Sequence, residues 1–191
     1  CGVDNLNNKI QNVLNPPSVK SAEIVYGTTI FRIHDKVMQT VNNYDIAWKK
    51  ASGKLWEVGE GVFNGDIGFI TGVNMQLGVL EVTFEDGRIC EYPRNEIGQL
   101  TLSYAITIHK SQGSEFDVVI IPLIGGAPSI LTRNLLYTAI TRAKQMVVLV
   151  GQKYHMQTMI RNNYTATRYS ALKQFLNEQV ASVQALTSQE V

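Results

Sequence analysis

One segment of the chain reads Ile106-Thr-Ile-His-Lys-Ser-Gln-Gly-Ser-Glu-Phe116, and a second reads Leu135-Leu-Tyr-Thr-Ala-Ile-Thr-Arg-Ala-Lys144. The first runs from an apolar strand into a turn of small polar residues that contains Gly113. The second places Arg142 on an otherwise apolar helix, which leads into the strand Met146-Val-Val-Leu-Val-Gly151. A guanidinium beside such a turn suits the charge that develops on a triphosphate. The two segments therefore predict a phosphate site within an α/β fold.

Length and charge set the frame for this prediction. At 191 residues, 45% of them hydrophobic, the chain can bury one substantial core and a small second one. The formal net charge is only +1. Residues 1–100 hold 9 Lys and Arg against 12 Asp and Glu, whereas residues 101–191 hold 8 against 4, so the nets are −3 and +4. The basic excess lies in the half that carries both segments, which is compatible with phosphate contacts there.

Several classes of protein are disfavoured. No apolar run approaches the length of a membrane span and no signal-peptide pattern opens the chain, so we expect a cytoplasmic protein with no membrane contact. The two cysteines, Cys1 and Cys90, fit a reducing compartment. His34 and His155 lack partners at metal-ligand spacing, and no metal site is predicted. Because the first residue is Cys1 rather than Met, we expect an excised domain or a piece of a longer protein.

The first hundred residues predict a helix followed by short strands. Helical spacing of apolar residues predicts a helix over Asp4–Leu14, whose apolar face consists of Leu6, Ile10, Val13 and Leu14. Residues 18–30 are predicted to be a loop. Glu85-Asp86-Gly87 predicts a hairpin turn. Short runs rich in β-branched and aromatic residues predict the strands Thr29–His34, Val37–Val41, Ile67–Val73, Val79–Phe84 and Arg88–Tyr92. The strands between about 62 and 93 argue for a small antiparallel barrel.

The pattern after residue 100 is that of an α/β layer. It predicts three strands, Leu102–Ile108, Val118–Leu123 and Met146–Val150. A helix capped by Thr132 is predicted to run to about Ala143, and two more helices are predicted at Lys153–Asn163 and Ser170–Leu186.

These residues resemble the superfamily 1 DNA helicases of the RecD type, the exodeoxyribonuclease V alpha subunit family, in their UvrD-like C-terminal part. The resemblance is strongest at residues 104–123 and 135–151, which correspond to motifs V and VI. It extends to Lys36-Val-Met-Gln39, Asn42-Asn-Tyr-Asp45 and Val62-Phe-Asn-Gly-Asp-Ile-Gly68. It implies a RecA-like, P-loop NTPase-type second motor domain formed by residues 1–61 and 99–191, with a small antiparallel SH3-like β-barrel inserted at residues 62–98.

The resemblance also implies roles for individual residues. Arg142 corresponds to the arginine finger that reaches the γ-phosphate of ATP on another domain. The nucleotide side of motif V corresponds to Gln112, Gly113 and Glu115, the last as an acceptor from a ribose hydroxyl. The side facing single-stranded DNA corresponds to Thr107, His109, Lys110 and Ser111.

A structural role is the alternative for each of these residues. The 107–116 stretch can be a polar turn that caps itself, and Arg142 can be a solvated helix arginine paired with a nearby acid. Tyr44, Phe63 and Asn64 could contact nucleic acid, but a turn with core aromatics is the preferred interpretation of each residue, while the barrel as a unit is expected to border the DNA path.

Two elements of an ATPase are missing from the sequence. A Walker A loop needs Gly-x-x-x-x-Gly-Lys-Ser/Thr, whereas Gly53-Lys54 is followed by Leu55 and has Trp48 at the first glycine position. No acidic pair follows an apolar strand as in a Walker B motif. We therefore expect ATP and Mg²⁺ to be bound together with an N-terminal motor domain, which would hold the Mg²⁺, and no ATP hydrolysis by this chain alone.

The sequence thus predicts the C-terminal part of an ATP-dependent 5′→3′ DNA helicase of DNA repair and recombination. The expected partners are single-stranded DNA, the N-terminal motor domain and other recombination subunits. Two alternatives stay open: the helicase half of a conjugative relaxase, and a non-catalytic module that binds DNA or a protein partner.

Overall fold

The computed structural model describes residues 2–18, 22–164, 171, 175–177 and 179. Three α-helices are described, namely α1 (Val3–Leu14), α2 (Arg133–Ile140) and α3 (Lys153–Arg161), and a 3₁₀ helix covers Ile97–Gln99. Eleven strands are described: β1 (Glu23–Tyr26), β2 (Thr29–Arg32), β3 (Lys36–Gln39), β4 (Asn43–Ser52), β5 (Leu55–Val62), β6 (Ile67–Asn74), β7 (Val79–Phe84), β8 (Ile89–Tyr92), β9 (Leu100–Leu102), β10 (Phe116–Leu123) and β11 (Ala143–Gly151). The predicted helix Ser170–Leu186 falls largely outside the described residues.

The main body is a seven-stranded antiparallel sheet, with strand order β5-β4-β8-β7-β6-β3-β9. The inward side chains form one hydrophobic cluster: Ile24, Phe31, Val37, Ile46, Val62, Ile70, Leu80, Val82, Phe84, Cys90, Tyr92, Ile97, Leu100 and Leu102. The predicted interval 62–98 contains β6, β7 and β8. The same sheet also includes β3, β4, β5 and β9, so its strands run from Lys36 to Leu102.

The hairpin between β7 and β8 is confirmed. Gly87 N donates to Phe84 O at 2.9 Å, and Phe84 N donates to Arg88 O at 2.8 Å. Gly87 has a φ of +88°, a conformation that glycine adopts without a steric penalty. The predicted strand Val79–Phe84 matches β7 residue for residue.

The first helix is confirmed, but only part of its apolar stripe is covered: Leu6 and Ile10 are half-buried. Asn7 and Gln11 are the buried residues of α1, whereas Val13 and Leu14 are 78% and 69% exposed. The buried amides have partners: Gln11 Nε2 donates to Asp35 Oδ2 at 2.6 Å. The helix is therefore held by hydrogen bonds from Asn7 and Gln11, beside the half-buried Leu6 and Ile10, while the apolar residues of its last turn stay exposed.

Two further predictions differ from the structure. The predicted loop 18–30 includes β1 and the start of β2, which form an antiparallel hairpin. The predicted strand Leu102–Ile108 is wrong, because β9 ends at Leu102. At Ala105 both backbone groups bond to one side chain: Ala105 N donates to Asn7 Oδ1 at 2.7 Å, and Ala105 O accepts from Asn7 Nδ2 at 2.9 Å. A stretch whose amides are taken by side chains cannot continue a strand ladder.

The second sheet consists of β10 and β11, which are joined through α2. Phe116 N donates to Arg142 O at 2.9 Å where the two strands begin, and Leu123 O approaches Gly151 where they end. The strands therefore run in the same direction, as a helical connection requires. Thr132 caps α2 as predicted, since its Oγ1 accepts from Leu135 N at 3.2 Å.

The described residues divide into two compact units. The first consists of residues 1–121 with 137–149 and contains the seven-stranded sheet, and the second consists of residues 122–136 with 150–191. No helix in the described part of the chain is long and apolar enough to cross a membrane.

Candidate nucleotide and DNA interface

Residues 107–114 form a chain of overlapping turns. Thr107 begins it, since its Oγ1 accepts from Lys110 N at 3.2 Å and its carbonyl accepts from Ser111 N at 3.1 Å. Gln112 N then donates to His109 O at 3.2 Å, and Ser114 N donates to Ser111 O at 3.1 Å. The turn keeps its shape through its own hydrogen bonds, so side chains that are not used in these bonds remain available.

Most of the predicted site residues face outward from this turn. Thr107, His109, Lys110, Gln112, Gly113 and Glu115 are all exposed. Ser111 is the exception: its side chain is buried and its hydroxyl donates to Ile108 O at 2.7 Å. In this position Ser111 stabilises the turn from inside, and its contact with DNA stays a prediction.

Gly113 lies at the most open point of the turn. Its φ is +89°, in the region that disfavours any side chain, and a Cβ placed there would meet no atom within 4 Å. The glycine is therefore required by backbone conformation and leaves the surface above it free. A ligand oxygen can approach the backbone closely at such a position.

Arg142 lies in the turn between α2 and β11, and not on the helix as predicted, because α2 ends at Ile140. Its Nη1 donates to Ser114 O at 3.2 Å, which brings the second segment against the first. Its Nε is buried and has no hydrogen-bond partner in the described part of the chain. No carboxylate forms a salt bridge with Arg142 among the described residues.

Glu115 and Lys144 form a bridge between the same two segments. Lys144 Nζ lies 3.6 Å from Glu115 Oε2, and the two side chains are 54% and 61% exposed. An ion pair this exposed contributes little stability and is screened by salt. Glu115 can therefore exchange this partner for another donor at small cost.

A cleft of about 200 Å³ lies beside this turn and is lined by Ser114, Glu115 and Phe116 on one side. The residues on its other side come from the antiparallel sheet and include Asp66, Asp86 and Arg88. Arg88 organises that side, since its Nη2 donates to Asp66 Oδ2 at 2.7 Å and its Nε donates to Asp86 Oδ2 at 2.6 Å. The sequence analysis did not identify Arg88. The signal that could have indicated it is the Asp86-Gly87-Arg88 turn, which places an acid and an arginine two residues apart.

Charge pairing shifts the pKa of two groups in this cluster. Burial would raise the pKa of Asp86, but hydrogen bonds from the backbone and guanidinium of Arg88 outweigh it, and the pKa lies below its ordinary value. Burial would lower the pKa of Arg88, whereas its bonds to Asp66 and Asp86 raise it. Both groups are therefore charged at neutral pH.

The described residues contain no group of three His, Cys, Asp or Glu side chains that could hold a metal ion. Arg88 engages Asp66 and Asp86 of the cleft, whereas Glu85 pairs with Lys36 and Glu115 with Lys144.

Two protein-family models match this chain. A model described as the ATP-dependent RecD-like DNA helicase SH3 domain matches residues 6–84, and a model described as the UvrD-like helicase C-terminal domain matches residues 102–150. The second match contains both the 107–116 turn and Arg142. The chain belongs to the RecD-like family of DNA helicases.

Similar curated proteins carry names of the same kind. The chain is 33% identical over 150 residues to the ATP-dependent RecD2 DNA helicase of Deinococcus radiodurans, covering 78% of this chain and 18% of that protein. It is 30% identical over 180 residues to the RecBCD enzyme subunit RecD of Mycolicibacterium smegmatis, covering 92% of this chain and 27% of that protein. This RecD-like chain thus matches less than a third of the length of either relative.

Proposed function

We propose that this chain supplies the RecA-like second motor domain of an ATP-dependent DNA helicase that moves 5′→3′ on single-stranded DNA. In this proposal residues 1–61 and 99–191 form the motor domain and residues 62–98 form the inserted SH3-like barrel. An N-terminal motor domain of the same protein and other recombination subunits are the proposed protein partners. The observation that carries the proposal is Arg142, which lies against the 107–116 turn with a buried Nε that has no partner in the described chain.

The proposed role of Arg142 is that of an arginine finger. A guanidinium without a carboxylate partner keeps its charge and its donors for a ligand, and the bond to Ser114 O fixes one edge of the group. The Nη2 edge makes only a long hydrogen bond, 3.5 Å to Thr141 Oγ1, which a ligand on a second domain can replace. Such a finger contributes about 10³- to 10⁵-fold to hydrolysis.

The nucleotide is proposed to lie over the open side of the turn. Gly113 presents its backbone without a side chain above it, Glu115 accepts from a ribose hydroxyl after leaving Lys144, and exposed Gln112 completes the contact. These donors and acceptors fit one edge of ATP. When bound, ATP supplies the phosphoryl group whose hydrolysis drives movement, and Mg²⁺ is proposed to be held by the N-terminal motor domain.

Single-stranded DNA is proposed to contact the opposite end of the same turn. Thr107, His109 and Lys110 are exposed there and offer donors suited to phosphate and sugar oxygens. Ser111 supports them from inside through its bond to Ile108 O. Because one hydrogen-bonded turn carries both ends, a shift at the nucleotide end is transmitted to the DNA end over a few residues.

The decisive experiment is the ATPase of the longer protein that contains this chain. We expect Arg142→Ala to reduce DNA-stimulated ATP hydrolysis by at least about 10³-fold while nucleotide binding, followed with a fluorescent ATP analogue, changes little. Arg142→Lys should not restore the rate, because an ammonium cannot reproduce the planar fork. Arg133→Ala is the matched control, since Arg133 is an exposed arginine at the start of α2. Near-normal hydrolysis by the Arg142→Ala protein would remove the finger assignment.

The isolated 191-residue chain provides a second test. We expect it to show no DNA-stimulated ATPase, because its sequence has no Walker A loop to hold the phosphates. Turnover by a preparation free of contaminating ATPases, and unaffected by Arg142→Ala, would contradict the proposal.

A further inference from the structure

The hairpin formed by β4 and β5 extends beyond the rest of its sheet. Its strands pair in register from Ala47↔Glu60 to Ser52↔Leu55. The neighbouring strand β8 pairs with β4 only at Trp48 and Lys49. The part of the hairpin from residue 50 to residue 57 is therefore a two-stranded ribbon with no third strand paired beside it, and residues 51–57 are all exposed.

The two faces of this hairpin differ. Trp48 packs on the inner face against Gly59, where an added Cβ would lie 2.5 Å from the indole ring. Its register partner on β8 is the buried Cys90. The residues of the outer face alternate with these and are all exposed: Ala47, Lys49, Ala51, Trp56, Val58 and Glu60.

Trp56 is the most prominent side chain of the outer face. It is 60% exposed, and its partner across the ladder is Ala51, whose methyl group cannot cover an indole. Val58, two residues along the same face, is 75% exposed. An indole this open exposes a flat aromatic surface to solvent, which is costly unless a ligand covers it.

Three lysines lie near Trp56 in this hairpin, and the adjacent Glu57 lies on the opposite, inner face. Residues 49–56 contain Lys49, Lys50 and Lys54 and no acidic residue. Lys49 lies on the outer face diagonally across from Trp56, and Lys54 is in the connecting turn. Lys50 is the register partner of Glu57 on the inner face, and its charge also acts on Asp86. The first acids of the outer surface are Glu60 and Glu91, which end the basic area on the side nearest the sheet.

We propose that the outer face of the β4–β5 hairpin binds single-stranded nucleic acid, with a base stacked on Trp56 and phosphates near Lys49 and Lys54. Exposed aromatics flanked by lysines are the combination that binds single strands without sequence preference. Beside this surface, toward β8, lies a shallow groove lined by Lys49, Val58 and Ile89, which ends at Glu60 and Glu91. The inference goes beyond the proposed motor function, since it requires neither ATP nor the 107–116 turn.

A comparison with the β6–β7 hairpin supports nucleic acid over a protein partner as the occupant. Its connecting turn also exposes apolar side chains, with Met75 65% and Leu77 73% exposed. No charged residue lies between Asn74 and Gly78. Of these two hairpins, β4–β5 is the one that joins an exposed aromatic ring to lysines, which complement a stacked base and its phosphates.

The test is binding of the 191-residue chain to fluorescently labelled oligo(dT), measured by anisotropy at several salt concentrations without nucleotide. We expect Trp56→Ala to weaken binding roughly 5- to 150-fold, the equivalent of about 1–3 kcal/mol for one stacked base. Trp56→Phe should retain most of the affinity, because a phenyl ring still stacks. The double variant Lys49→Gln, Lys54→Gln should reduce the slope of log K against log salt by about 0.7 for each lysine that contacts a phosphate.

Met75→Ala is the matched control, and it should leave binding unchanged. Unchanged affinity in both Trp56→Ala and the double lysine variant would overturn the inference. The outer face of the hairpin would then be assigned to binding a protein partner. A further variant, Thr107→Ala with His109→Ala, separates the two proposals. Loss of binding there with normal binding by Trp56→Ala would support the motor-domain contact and reject the hairpin, whereas the reverse pattern would do the opposite.

Discussion

Asn7 and Ala105 are joined by two hydrogen bonds, although 98 residues of chain separate them. Asn7 Nδ2 donates to Ala105 O at 2.9 Å, and Ala105 N donates to Asn7 Oδ1 at 2.7 Å. One side chain thereby satisfies both backbone groups of the residue that precedes the 107–114 turn. The neighbouring Tyr104 hydroxyl donates to the buried Asp35 at 2.9 Å, so the entry to the turn is fixed from two elements.

Removing the Asn7 amide should loosen this entry. We expect Asn7→Ala to lower the free energy of unfolding by about 1–3 kcal/mol, because it leaves the Ala105 N–H and C=O without partners in a half-buried position. The urea midpoint of the 191-residue chain measures the effect. Asn8→Ala is the control on the exposed side of the same helix, and equal midpoints for the two variants would contradict the prediction.

Gly113 should resist substitution for reasons of backbone conformation alone. Space is available for a methyl group, but a φ of +89° is strained for alanine, so we expect Gly113→Ala to cost about 1–2 kcal/mol. Thermal unfolding of Gly113→Ala and Gly126→Ala gives the comparison, because a Cβ at Gly126 meets only ordinary contacts at 3.4 Å or more. Both changes reduce the entropy of the unfolded chain alike, and the difference between them isolates the strain. A smaller loss at Gly113 than at Gly126 would argue against this.

Arg88 should be among the least replaceable charged residues of the sheet. It donates to Asp66, Asp86 and the carbonyl of Gly61, and its side chain is only 14% exposed. We expect Arg88→Met to destabilise the chain by about 3 kcal/mol in urea at pH 7, since two carboxylates lose their partner. Arg94→Met, at an exposed arginine, is the control and should change the midpoint little.

The Arg88 contribution should also depend on pH. The pKa of Asp86 is depressed in the folded state below its ordinary value of 3.8. The stabilisation from this carboxylate is therefore fully present above that value and is lost as the pH falls through the folded-state pKa. The difference in urea midpoint between wild type and Asp86→Asn should shrink between pH 5 and the most acidic pH at which the chain folds. A difference that grows on acidification would be the contrary result.

Cys90 should be chemically inert in the folded chain. Burial raises the pKa of its thiol to about 12, and the side chain is 1% exposed. We expect a Cys1→Ser variant to react with iodoacetamide at pH 8 only after unfolding in urea, because the thiolate is both scarce and inaccessible. Rapid labelling under native conditions would show that β8 opens locally.

The sequence identified those parts of the molecule whose local chemistry decides their structure. The Glu85-Asp86-Gly87 turn and the strand Val79–Phe84 follow from turn residues and β-branched runs, and the structure confirms both. Thr132 was identified as a helix cap because the cap bond spans three residues. The pairing of a polar turn with Arg142 was also visible, since both lie in short segments with distinctive residues.

The tertiary structure decided what depends on partners far along the chain. The side chains of Asn7 and Gln11 on α1 are buried because Asp35 accepts a hydrogen bond from Gln11 and Ala105 N donates one to Asn7. Hydrophobic periodicity cannot reveal such partners. The end of β9 at Leu102 has the same cause, since side chains take the backbone groups beyond it. The register of β4 with β5 places Trp48 and Trp56 on opposite faces of the hairpin. Trp48 packs on Gly59, whereas Trp56 is exposed, and the sequence alone does not distinguish the two.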